Sequence, residues 1–351
     1  MTYQREYAER VRVGLVGAGS HAYRNVLPAL NFLPVELVAI CDPATESGAA
    51  AARQYGARHH ASMEQMLAAE TLDAVLLCVG PHQHPELAVR AFDAGLHVWM
   101  EKPAAARSAD VQAMIDRRGD RVAVVGFKKT FMPATVKARE LLAGPAGPLR
   151  SLLVTYPMVV PDLSRDGLDA APPDSLWLID GCHPLSFLAD VGGPAATVAV
   201  HRAARGGGAC VVTFADGVVG TLHLAEGAPR SQPFERYALF ADASTIEIDN
   251  GATVTYQRGI PFEYARTHSF APPGIDGGAV VWSAQNTLNT LENHPLFVQG
   301  VYGSLAHFCD AVLRRVPAVR GTLELAARVT ALYEAAMLSD GSAVPVEAVR
   351  A

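Results

Sequence analysis

Lysine is scarce in this 351-residue chain, in which only four of the 29 Lys and Arg side chains are lysine. The four are Lys102, Lys128, Lys129 and Lys137. A guanidinium group cannot release its proton in a protein, so arginine replaces lysine only where a permanent charge suffices. A lysine that persists in such a composition is therefore favoured at a position where a titratable amine is needed.

Long apolar runs, paired cysteines and basic blocks are also missing. No apolar run reaches the roughly 18 to 20 residues that a membrane-spanning helix needs, and residues 1–12 have the charges but not the apolar core that would make a signal peptide. The five cysteines never form a CxxC pair, which argues against a disulfide framework and a structural zinc site. With a net charge of -6, nucleic acid is not an expected partner. These absences predict a cytoplasmic protein without a membrane partner.

The first third of the chain alternates short apolar runs with helical patterns, which is typical of βαβ units on a parallel sheet. The runs are rich in Val, Leu and Ile, as strands buried on both faces should be. Strands are predicted over residues 12–16, 35–40, 74–79, 97–100 and 122–126, and helices over 21–32, 44–55, 85–94 and 108–118.

The pattern changes after a Gly-Pro cluster at 144–148, which ends a helix predicted over 133–142. Short alternating strands joined by turns then predict a mostly antiparallel sheet, preceded by one helix over 176–191. The irregular segments 161–174 and 259–296 are expected to border a site. Strands are predicted over 149–156, 197–201, 209–214, 218–224, 237–241, 244–249 and 252–257, and closing helices over 301–315 and 323–338.

We therefore predict an α/β Rossmann domain followed by an α+β domain with a large open, mostly antiparallel sheet. Residues 1–128 are expected to form the first domain and residues 129–351 the second, which forms the oligomer contacts, with the C-terminal helix able to return to the first domain. The exposed face of an open sheet invites pairing, so we expect a homodimer or homotetramer.

A glycine-rich turn follows the first predicted strand. Gly17, Gly19 and Ala22 form a GxGxxA pattern, with Ser20 and His21 between them. In a strand–turn–helix context the first glycine permits the tight turn, the second admits the pyrophosphate, and the third small residue lets the helix pack on the strand. The phosphates then lie at the positive end of the helix. This pattern predicts a dinucleotide site.

Asp42 ends the second predicted strand. A carboxylate there can accept hydrogen bonds from the adenosine ribose hydroxyls and repel the extra phosphate of NADP. We therefore expect NAD, although Arg53 complicates the choice and leaves NADP open. The alternative is that Asp42 only shapes a turn before Pro43.

Three polar turns, at 79–85, 100–103 and 126–131, follow the third, fourth and fifth predicted strands. The carboxyl ends of parallel strands are where open α/β sheets bind ligands. Lys102, next to Glu101, can exchange a proton with a substrate hydroxyl, and the charge of an oxidised nicotinamide would favour its neutral form. The alternative is a Glu101–Lys102 surface pair at a helix entrance.

Together these motifs resemble the glucose–fructose oxidoreductase / inositol dehydrogenase family (Gfo/Idh/MocA) over nearly the whole chain. The resemblance rests on the GxGxxA turn, Asp42, Pro81 with His84, Glu-Lys-Pro at 101–103 and Gly-Phe-Lys-Lys-x-Phe from 126. It implies that Lys102 is the catalytic lysine. It also implies that the cofactor is contacted by Pro81, His84, Glu101, Lys102 and Phe127.

Members of that family usually carry Asp-x-x-x-His on a helix of the second domain. Here Asp180 precedes His183 by only three residues, and Ile179 has the usual spacing. Both spacings place side chains on one face of a helix. We expect His183 to exchange the substrate hydroxyl proton, with Lys102 sharing that work and Asp180 orienting the imidazole. The alternative is that Asp180 and His183 only cap the helix.

Further polar residues are candidates for substrate contacts. Of Lys128 and Lys129, one is expected to contact substrate or phosphate and the other to be solvated. The remaining candidates are Trp177, Asn286, Asn289, Asn293 and His294. No metal is expected, because His59–His60 and His82/His84 have no acidic or cysteine partner at matching spacing.

The sequence predicts an enzyme, an NAD(P)-dependent oxidoreductase that transfers a hydride between nicotinamide and a secondary alcohol or ketone of a sugar, cyclitol or sugar-like substrate. Two alternatives stay open. An NAD-dependent glycosidase would show no net cofactor turnover and would release a leaving group. A non-catalytic NAD(P)-binding regulator would be expected to have lost Lys102 or His183, and both are present.

Overall fold

The computed structural model describes residues 6–160, 168, 175–229, 234–260, 262–268, 277–283 and 294–347. Two sheets organise this part of the chain, one six-stranded and parallel, the other nine-stranded and mostly antiparallel. The predicted fold class, a Rossmann domain followed by a domain with an open antiparallel sheet, is confirmed.

The parallel sheet has the strand order β3-β2-β1-β4-β5-β6. The chain runs outward from β1 in one direction and then from β4 in the other, so the order reverses between these two strands. In open α/β sheets, ligands bind outside the carboxyl ends of the strands at such a switch point. The strands are β1 (Val11–Val16), β2 (Val35–Cys41), β3 (Arg58–His60), β4 (Ala74–Leu77), β5 (His97–Met100) and β6 (Ala123–Val125).

Alternate residues of these strands enter two separate cores, because successive side chains point to opposite faces. Leu76 packs with Leu15 on one face, whereas Val75 and Leu77 belong to the core on the other. Helices cover both faces, which explains the continuous apolar runs in the sequence. The helices are a π-helix (Ala22–Val26), α1 (Leu27–Leu30), α2 (Thr45–Tyr55), α3 (Met63–Ala69), α4 (His84–Asp93) and α5 (Ser108–Arg118).

Two predictions for this sheet were incomplete. The helix expected over 21–32 starts as a π-helix and continues as α1, with Pro28 as the second residue of α1. Strand β3 and helix α3 were not predicted. Strand β3 has only three residues, all polar and none fully buried, so it lacks the apolar run that reveals an inner strand.

The second sheet has the order β14-β13-β12-β11-β7-β10-β9-β8-β15, in which only β7 and β10 pair in parallel. Its strands alternate between buried and exposed residues: in β7, Leu152 and Val154 are buried and Leu153 is exposed. The strands are β7 (Ser151–Tyr156), β8 (Ala195–Arg202), β9 (Gly208–Phe214), β10 (Val219–Leu224), β11 (Arg236–Ala241), β12 (Ser244–Asp249), β13 (Thr253–Arg258), β14 (Gly278–Ser283) and β15 (Val344–Pro345).

One helix joins the two units. Helix α12 (Leu323–Leu338) is buried along nearly its whole length, as its mostly apolar sequence predicts, and the carboxylate of its buried Glu334 is hydrogen-bonded by Ser108. It packs against α5 of the first unit and against α9 and β8 of the second, so their cores are continuous. The remaining helices are α6 (Lys128–Phe131), α7 (Pro133–Leu142), α8 (Leu176–Ile179), α9 (Cys182–Val191), α10 (His294–Val298) and α11 (Val301–Arg314).

The single helix predicted over 176–191 was wrong, because the structure has two helices, α8 and α9, separated at Asp180 and Gly181. Gly181 lies tightly against Trp177: a Cβ atom there would be 2.7 Å from the carbonyl oxygen of Trp177 and 2.8 Å from its ring. The break places Asp180 between the helices rather than within one.

The two segments predicted to be irregular lie partly outside the described residues. Of 161–174, only Leu168 is described. Strand β14 lies inside 259–296 and was not predicted. Within the part of the chain that the structure describes, no helix is long and apolar enough to cross a membrane. The same residues contain no group of three or more His, Cys, Asp or Glu side chains placed to hold a metal ion.

Candidate dinucleotide and substrate site

The glycine-rich turn leaves β1 at the switch point of the parallel sheet. Gly17 has φ +89°, a conformation that side chains other than glycine rarely adopt. A Cβ atom at Gly17 would lie 2.4 Å from the carbonyl oxygen of Cys78, and the Gly17 N–H donates to the carbonyl of Cys41 at 2.8 Å. The neighbouring strand ends therefore require glycine here for the fold itself.

Gly19 differs from Gly17 in a way that points to a ligand. Its backbone lies outside the left-handed region, and a Cβ atom built on it would meet no described atom within 4 Å. The fold alone therefore does not require glycine at this position. Ala22, the third small residue, is buried where the π-helix begins. Open space beside Gly19 at the start of a helix is what a dinucleotide pyrophosphate needs.

The carboxylate of Asp42 lies next to this turn. One oxygen accepts the N–H of Ala18 and the other accepts the N–H of Ala44, each at 2.8 Å. The predicted turn-forming role is therefore present, and the same carboxylate also braces the glycine turn. A carboxylate has about four acceptor sites, so both roles leave acceptor capacity for ribose hydroxyls.

The turn that carries Lys102 is supported from beneath by His84. The His84 side chain is completely buried, and its Nδ1 lies 2.9 Å from the carbonyl oxygen of Pro103. Burial lowers the pKa of His84, so the ring is neutral. His84, expected near the cofactor, thus lies inside the protein as a support for the Lys102 turn, whereas Pro81 lies on the partly exposed turn before α4.

Glu101 connects that turn to the glycine turn. Its carboxylate is largely buried, with one oxygen 2.9 Å from Nε2 of His21 and the other accepting the Lys102 N–H at 3.2 Å. The Lys102 amine extends elsewhere: Nζ donates to the carbonyl of Ile179 at 2.7 Å. The surface ion pair between the side chains of Glu101 and Lys102, considered as the alternative, is therefore not observed. Instead, Lys102 reaches from the first sheet to the junction between α8 and α9.

His183 lies in the first turn of α9, beyond that junction. Its side chain is buried, and Nδ1 has no hydrogen-bond partner among the described residues. Burial, followed by the positive charges of Lys102 and Lys128, lowers the pKa of His183 well below its usual value. A neutral imidazole with an unsatisfied buried nitrogen can accept a proton or a hydrogen bond from a ligand.

Asp180 does not have the predicted hydrogen bond to His183. Its Oδ1 accepts the hydroxyl of Tyr156 at 2.9 Å, and only its backbone carbonyl contacts His183, accepting that residue's N–H at 3.0 Å. The side-chain capping alternative is not observed either, since Gly181 is the N-cap of α9 and no side chain caps it. Burial, followed by the charge of Asp180, raises the pKa of Tyr156. Sequence reasoning missed Tyr156, whose only signal is that it faces inward at the end of a strand.

The adjacent lysines Lys128 and Lys129 have different environments. Lys129 is buried, forms an ion pair with Glu235 and lies 5.8 Å from the centre of the Tyr156 ring. Glu235 also accepts the hydroxyl of Tyr237 at 2.9 Å. Lys128 is half-buried and has no hydrogen bond or ion pair within the described part of the chain. One of the two lysines was expected to be solvated on the surface, but Lys129 is buried and Lys128 is half-buried.

The other predicted site residues are dispersed. Ser20 is exposed beside the glycine turn, whereas Phe127 and Trp177 are buried in the core. Gly126 is tightly packed, since a Cβ atom there would lie 2.8 Å from the Trp99 ring. Asn286, Asn289 and Asn293 lie outside the described residues, and His294 is the first residue of α10.

The fold and the glycine turn define a dinucleotide-binding protein, and comparison with known proteins shows which family its first domain is similar to. Residues 11–127 match the model of the family described as "Oxidoreductase family, NAD-binding Rossmann fold" (GFO_IDH_MocA). Over these residues the chain is similar to the Gfo/Idh/MocA oxidoreductases, which agrees with the resemblance read from the motifs.

Two curated relatives have similar sequences over part of their length. The 4-carboxy-2-hydroxymuconate-6-semialdehyde dehydrogenase of Sphingobium sp. is 33% identical over 127 residues, which are 35% of this chain and 40% of that protein. The dTDP-3,4-didehydro-2,6-dideoxy-alpha-D-glucose 3-reductase of Streptomyces violaceoruber is 31% identical over 186 residues, 51% of this chain and 54% of that protein. The chain thus spans about half the length of these relatives.

The whole fold is shared with solved structures. Levoglucosan dehydrogenase in complex with NADH superposes with a TM-score of 0.78, covering 97% of this chain and all of that one. The sequence identity is only 16%, so this likeness establishes the fold alone.

Proposed function

We propose that this protein is an NAD(P)-dependent oxidoreductase that interconverts a secondary alcohol and a ketone on a sugar, cyclitol or sugar-like substrate. The observation that carries the proposal is the contact between Lys102 Nζ and the Ile179 carbonyl. It joins the turn after β5, at the edge of the parallel sheet where dinucleotides bind, to the helix junction that presents His183. The name of one curated relative, a 3-reductase of a dTDP-linked sugar, supports this reaction class, and the name of the other, a semialdehyde dehydrogenase, supports an oxidoreductase.

The residues around the glycine turn fit NAD. Gly17 and Gly19 would hold the pyrophosphate, and Asp42 would accept the adenosine ribose hydroxyls. When bound, the nicotinamide accepts a hydride from the alcohol carbon or returns it to the ketone. Because a negative carboxylate repels a 2′-phosphate, we propose a preference for NAD over NADP.

His183 and Lys102 would handle the proton that accompanies the hydride. The lowered pKa keeps His183 neutral near pH 7, so it can accept the hydroxyl proton as the alcohol becomes a ketone. Lys102, held by Ile179, would hydrogen-bond the same substrate oxygen and stabilise negative charge that develops on it. In the opposite direction the protonated His183 returns the proton to the oxygen.

His84 and Glu101 act as positioning residues in this proposal. His84 fixes the carbonyl of Pro103, and Glu101 links Lys102 to His21 beside the glycine turn. The turn would therefore keep Lys102 at a constant distance from the dinucleotide. We also propose that residues 1–128 bind the dinucleotide and residues 129–351 bind the substrate. Helix α11 belongs to the second range by sequence but packs in the core of the first unit.

A substrate screen with matched lysine variants tests the activity. Purified wild type, Lys102→Met, His183→Gln and the control Lys137→Met would be assayed for NADH formation or consumption with polyols, sugars and their keto forms. Loss of a positioned acid–base group lowers the rate by about 10²- to 10⁴-fold. We expect this loss in the first two variants and unchanged rates in Lys137→Met, whose amine lies on the surface with Glu140. Full activity in Lys102→Met would contradict the mechanism.

We also propose that the protein is a homodimer or homotetramer that pairs through the outer face of the second sheet. Leu153, Val211, Val219 and Phe240 lie on this face and are exposed. Leu153 and Val211 flank Thr221 in one row of the sheet, and Phe240 and Val219 flank Ser151 in the next row, so the four apolar groups lie close together on this face. Light scattering after size-exclusion chromatography tests the idea: Leu153→Glu should shift the mass toward that of one chain, and a wild type that is already monomeric at micromolar concentration would refute it.

A further inference from the structure

Three of the four lysines in the chain gather at one place. Lys102 follows β5, and Lys128 and Lys129 follow β6 at the start of α6, whereas Lys137 lies on α7 and pairs with Glu140. The charges of the first three all act on His183, and each lowers its pKa. In a sequence that otherwise uses arginine, this grouping indicates that the position needs amines.

Two of these amines have partners, and the third has none among the residues that the structure describes. Lys102 donates to the Ile179 carbonyl, and Lys129 pairs with Glu235. Lys128 is half-buried, and within the described part of the chain its amine has neither a hydrogen bond nor an ion pair. Even partial burial of an ammonium group without a partner costs free energy, and a bound ligand of opposite charge would offset that cost.

The nearby carboxylates do not neutralise Lys128 directly. Glu235 contacts Lys129 and Tyr237, and Glu101 contacts His21. Asp180 accepts the Tyr156 hydroxyl. Burial, followed by the charge of Lys129, lowers the pKa of Lys128, whereas the charges of Glu235 and Glu101 raise it, so these carboxylates compensate its charge only in part. An anion placed against Lys128 would complete this compensation.

We propose that Lys128 binds an anionic group of the substrate, so that the substrate is an acidic sugar derivative carrying a carboxylate or a phosphate. The inference rests on the proposed oxidoreductase function and narrows its substrate class. An ammonium group acts as a point charge and binds either a carboxylate or a phosphate, because both are negatively charged. Lys128 thereby determines specificity, while Lys102 and His183 serve the reacting oxygen.

Paired probes test this inference in the full-length protein loaded with NADH. D-gluconate would be compared with D-glucitol, and D-glucuronate and D-glucose 6-phosphate with D-glucose, by calorimetric titration. The variants are Lys128→Met, which removes the charge, Lys128→Arg, which keeps it, and Lys137→Met as the control. The carboxylate and phosphate probes distinguish the two sources of negative charge.

We expect at least one acidic probe to bind wild type more tightly than its neutral partner. Losing a hydrogen bond to a charged group should weaken that probe about 10- to 100-fold in Lys128→Met. Binding of the neutral partner and of NADH should change less than about twofold, and Lys128→Arg should retain most of the preference. Lys137→Met should match wild type.

Two results would overturn the inference. In one, no acidic probe binds better than its neutral partner. In the other, Lys128→Met weakens acidic and neutral probes equally, which indicates a structural role for the side chain. NADH is titrated into the protein before the probes are added, and this step separates these results from failure of the proposed function. If NADH does not bind, the oxidoreductase proposal fails. If NADH binds but the protein shows no preference for the acidic probes, only the role of Lys128 fails.

Discussion

The two sheets contribute to the site in different ways. The parallel sheet contributes backbone geometry: the strands end at one edge, where Gly17 has a positive φ and the neighbouring strand ends leave no room for a side chain. The second unit contributes side chains that meet over long sequence separations, such as Lys129 with Glu235, 106 residues apart. The dinucleotide half is therefore encoded locally, whereas the substrate half depends on tertiary packing.

Substitution of Gly17 and Gly19 distinguishes a glycine that the fold requires from one that the ligand requires. We expect these variants to show the largest effects on stability and NADH affinity. Gly17→Ala places a Cβ atom at positive φ against the Cys78 carbonyl, so both the melting temperature and NADH affinity should fall. Gly19→Ala meets no described atom, so the melting temperature should change by less than about 2 °C. NADH affinity of Gly19→Ala should nevertheless fall about 10-fold or more, because the methyl group occupies the space of the pyrophosphate.

Thermal denaturation and calorimetric titration of the two variants measure these effects. Equal NADH affinity in Gly19→Ala and wild type would show that the open space beside Gly19 does not receive the dinucleotide.

The buried ion pair between Lys129 and Glu235 tests whether the substrate half of the site depends on contacts between residues far apart in the sequence. Glu235→Gln leaves Lys129 without its counter-charge, and breaking a buried pair from one side typically costs about 3 to 5 kcal/mol. Because the Glu235 side chain is 17% exposed, we expect the lower end of that range. Adding Lys129→Met should restore much of the loss, since the double variant has no unpaired charge.

Urea unfolding gives these free energies, and Lys128→Met is the matched control. Removing an amine without a partner should leave the free energy of unfolding unchanged or raise it. A Glu235→Gln variant as stable as wild type would mean that Lys129 and Glu235 do not support the second sheet.

Acidification should destabilise the protein through the buried histidines His84 and His183. Their pKa values are lowered in the folded protein, so below about pH 6.5 the unfolded chain takes up protons that the folded protein does not. Stability from this source is complete above pH 6.5 and is lost as pH falls toward the folded pKa values. Each histidine contributes a slope of at most about 1.4 kcal/mol per pH unit.

Urea unfolding at pH 7.5, 6.0 and 5.0 for wild type and His84→Gln tests this sign. The variant should be less stable at pH 7.5, because it loses the contact with Pro103, but its stability should fall less steeply with acid. A steeper fall in His84→Gln would contradict a neutral, buried His84.

The smallest effect is expected from Tyr156→Phe, which removes only the hydroxyl that contacts Asp180. A hydrogen bond to a charged group contributes about 1.5 to 3 kcal/mol, and the exposed side of Asp180 can recover part of it from water. We expect a loss near 1 kcal/mol by urea unfolding, with NADH affinity unchanged. A loss of NADH affinity would place Tyr156 in the dinucleotide half of the site.

The same division explains what could be predicted from the sequence. Gly17, Gly19 and Lys102 stand in short motifs whose geometry is set by adjacent strands, so the dinucleotide half and the fold class followed from local pattern. The break at Gly181 was missed because it depends on contact with the Trp177 ring, which periodicity does not reveal. The partner of Lys129 could not be predicted either, since Glu235 has no motif and approaches only through the second sheet.

Titration of nucleotide-free wild type with NADH and, separately, NADPH tests the central claim most directly. Energy transfer from tryptophan to the reduced nicotinamide reports binding, and Trp99 lies in β5 just before Glu101 and Lys102. We predict saturable binding of NADH that is at least about tenfold tighter than that of NADPH, because Asp42 repels the 2′-phosphate. Binding of neither nucleotide would contradict the oxidoreductase proposal.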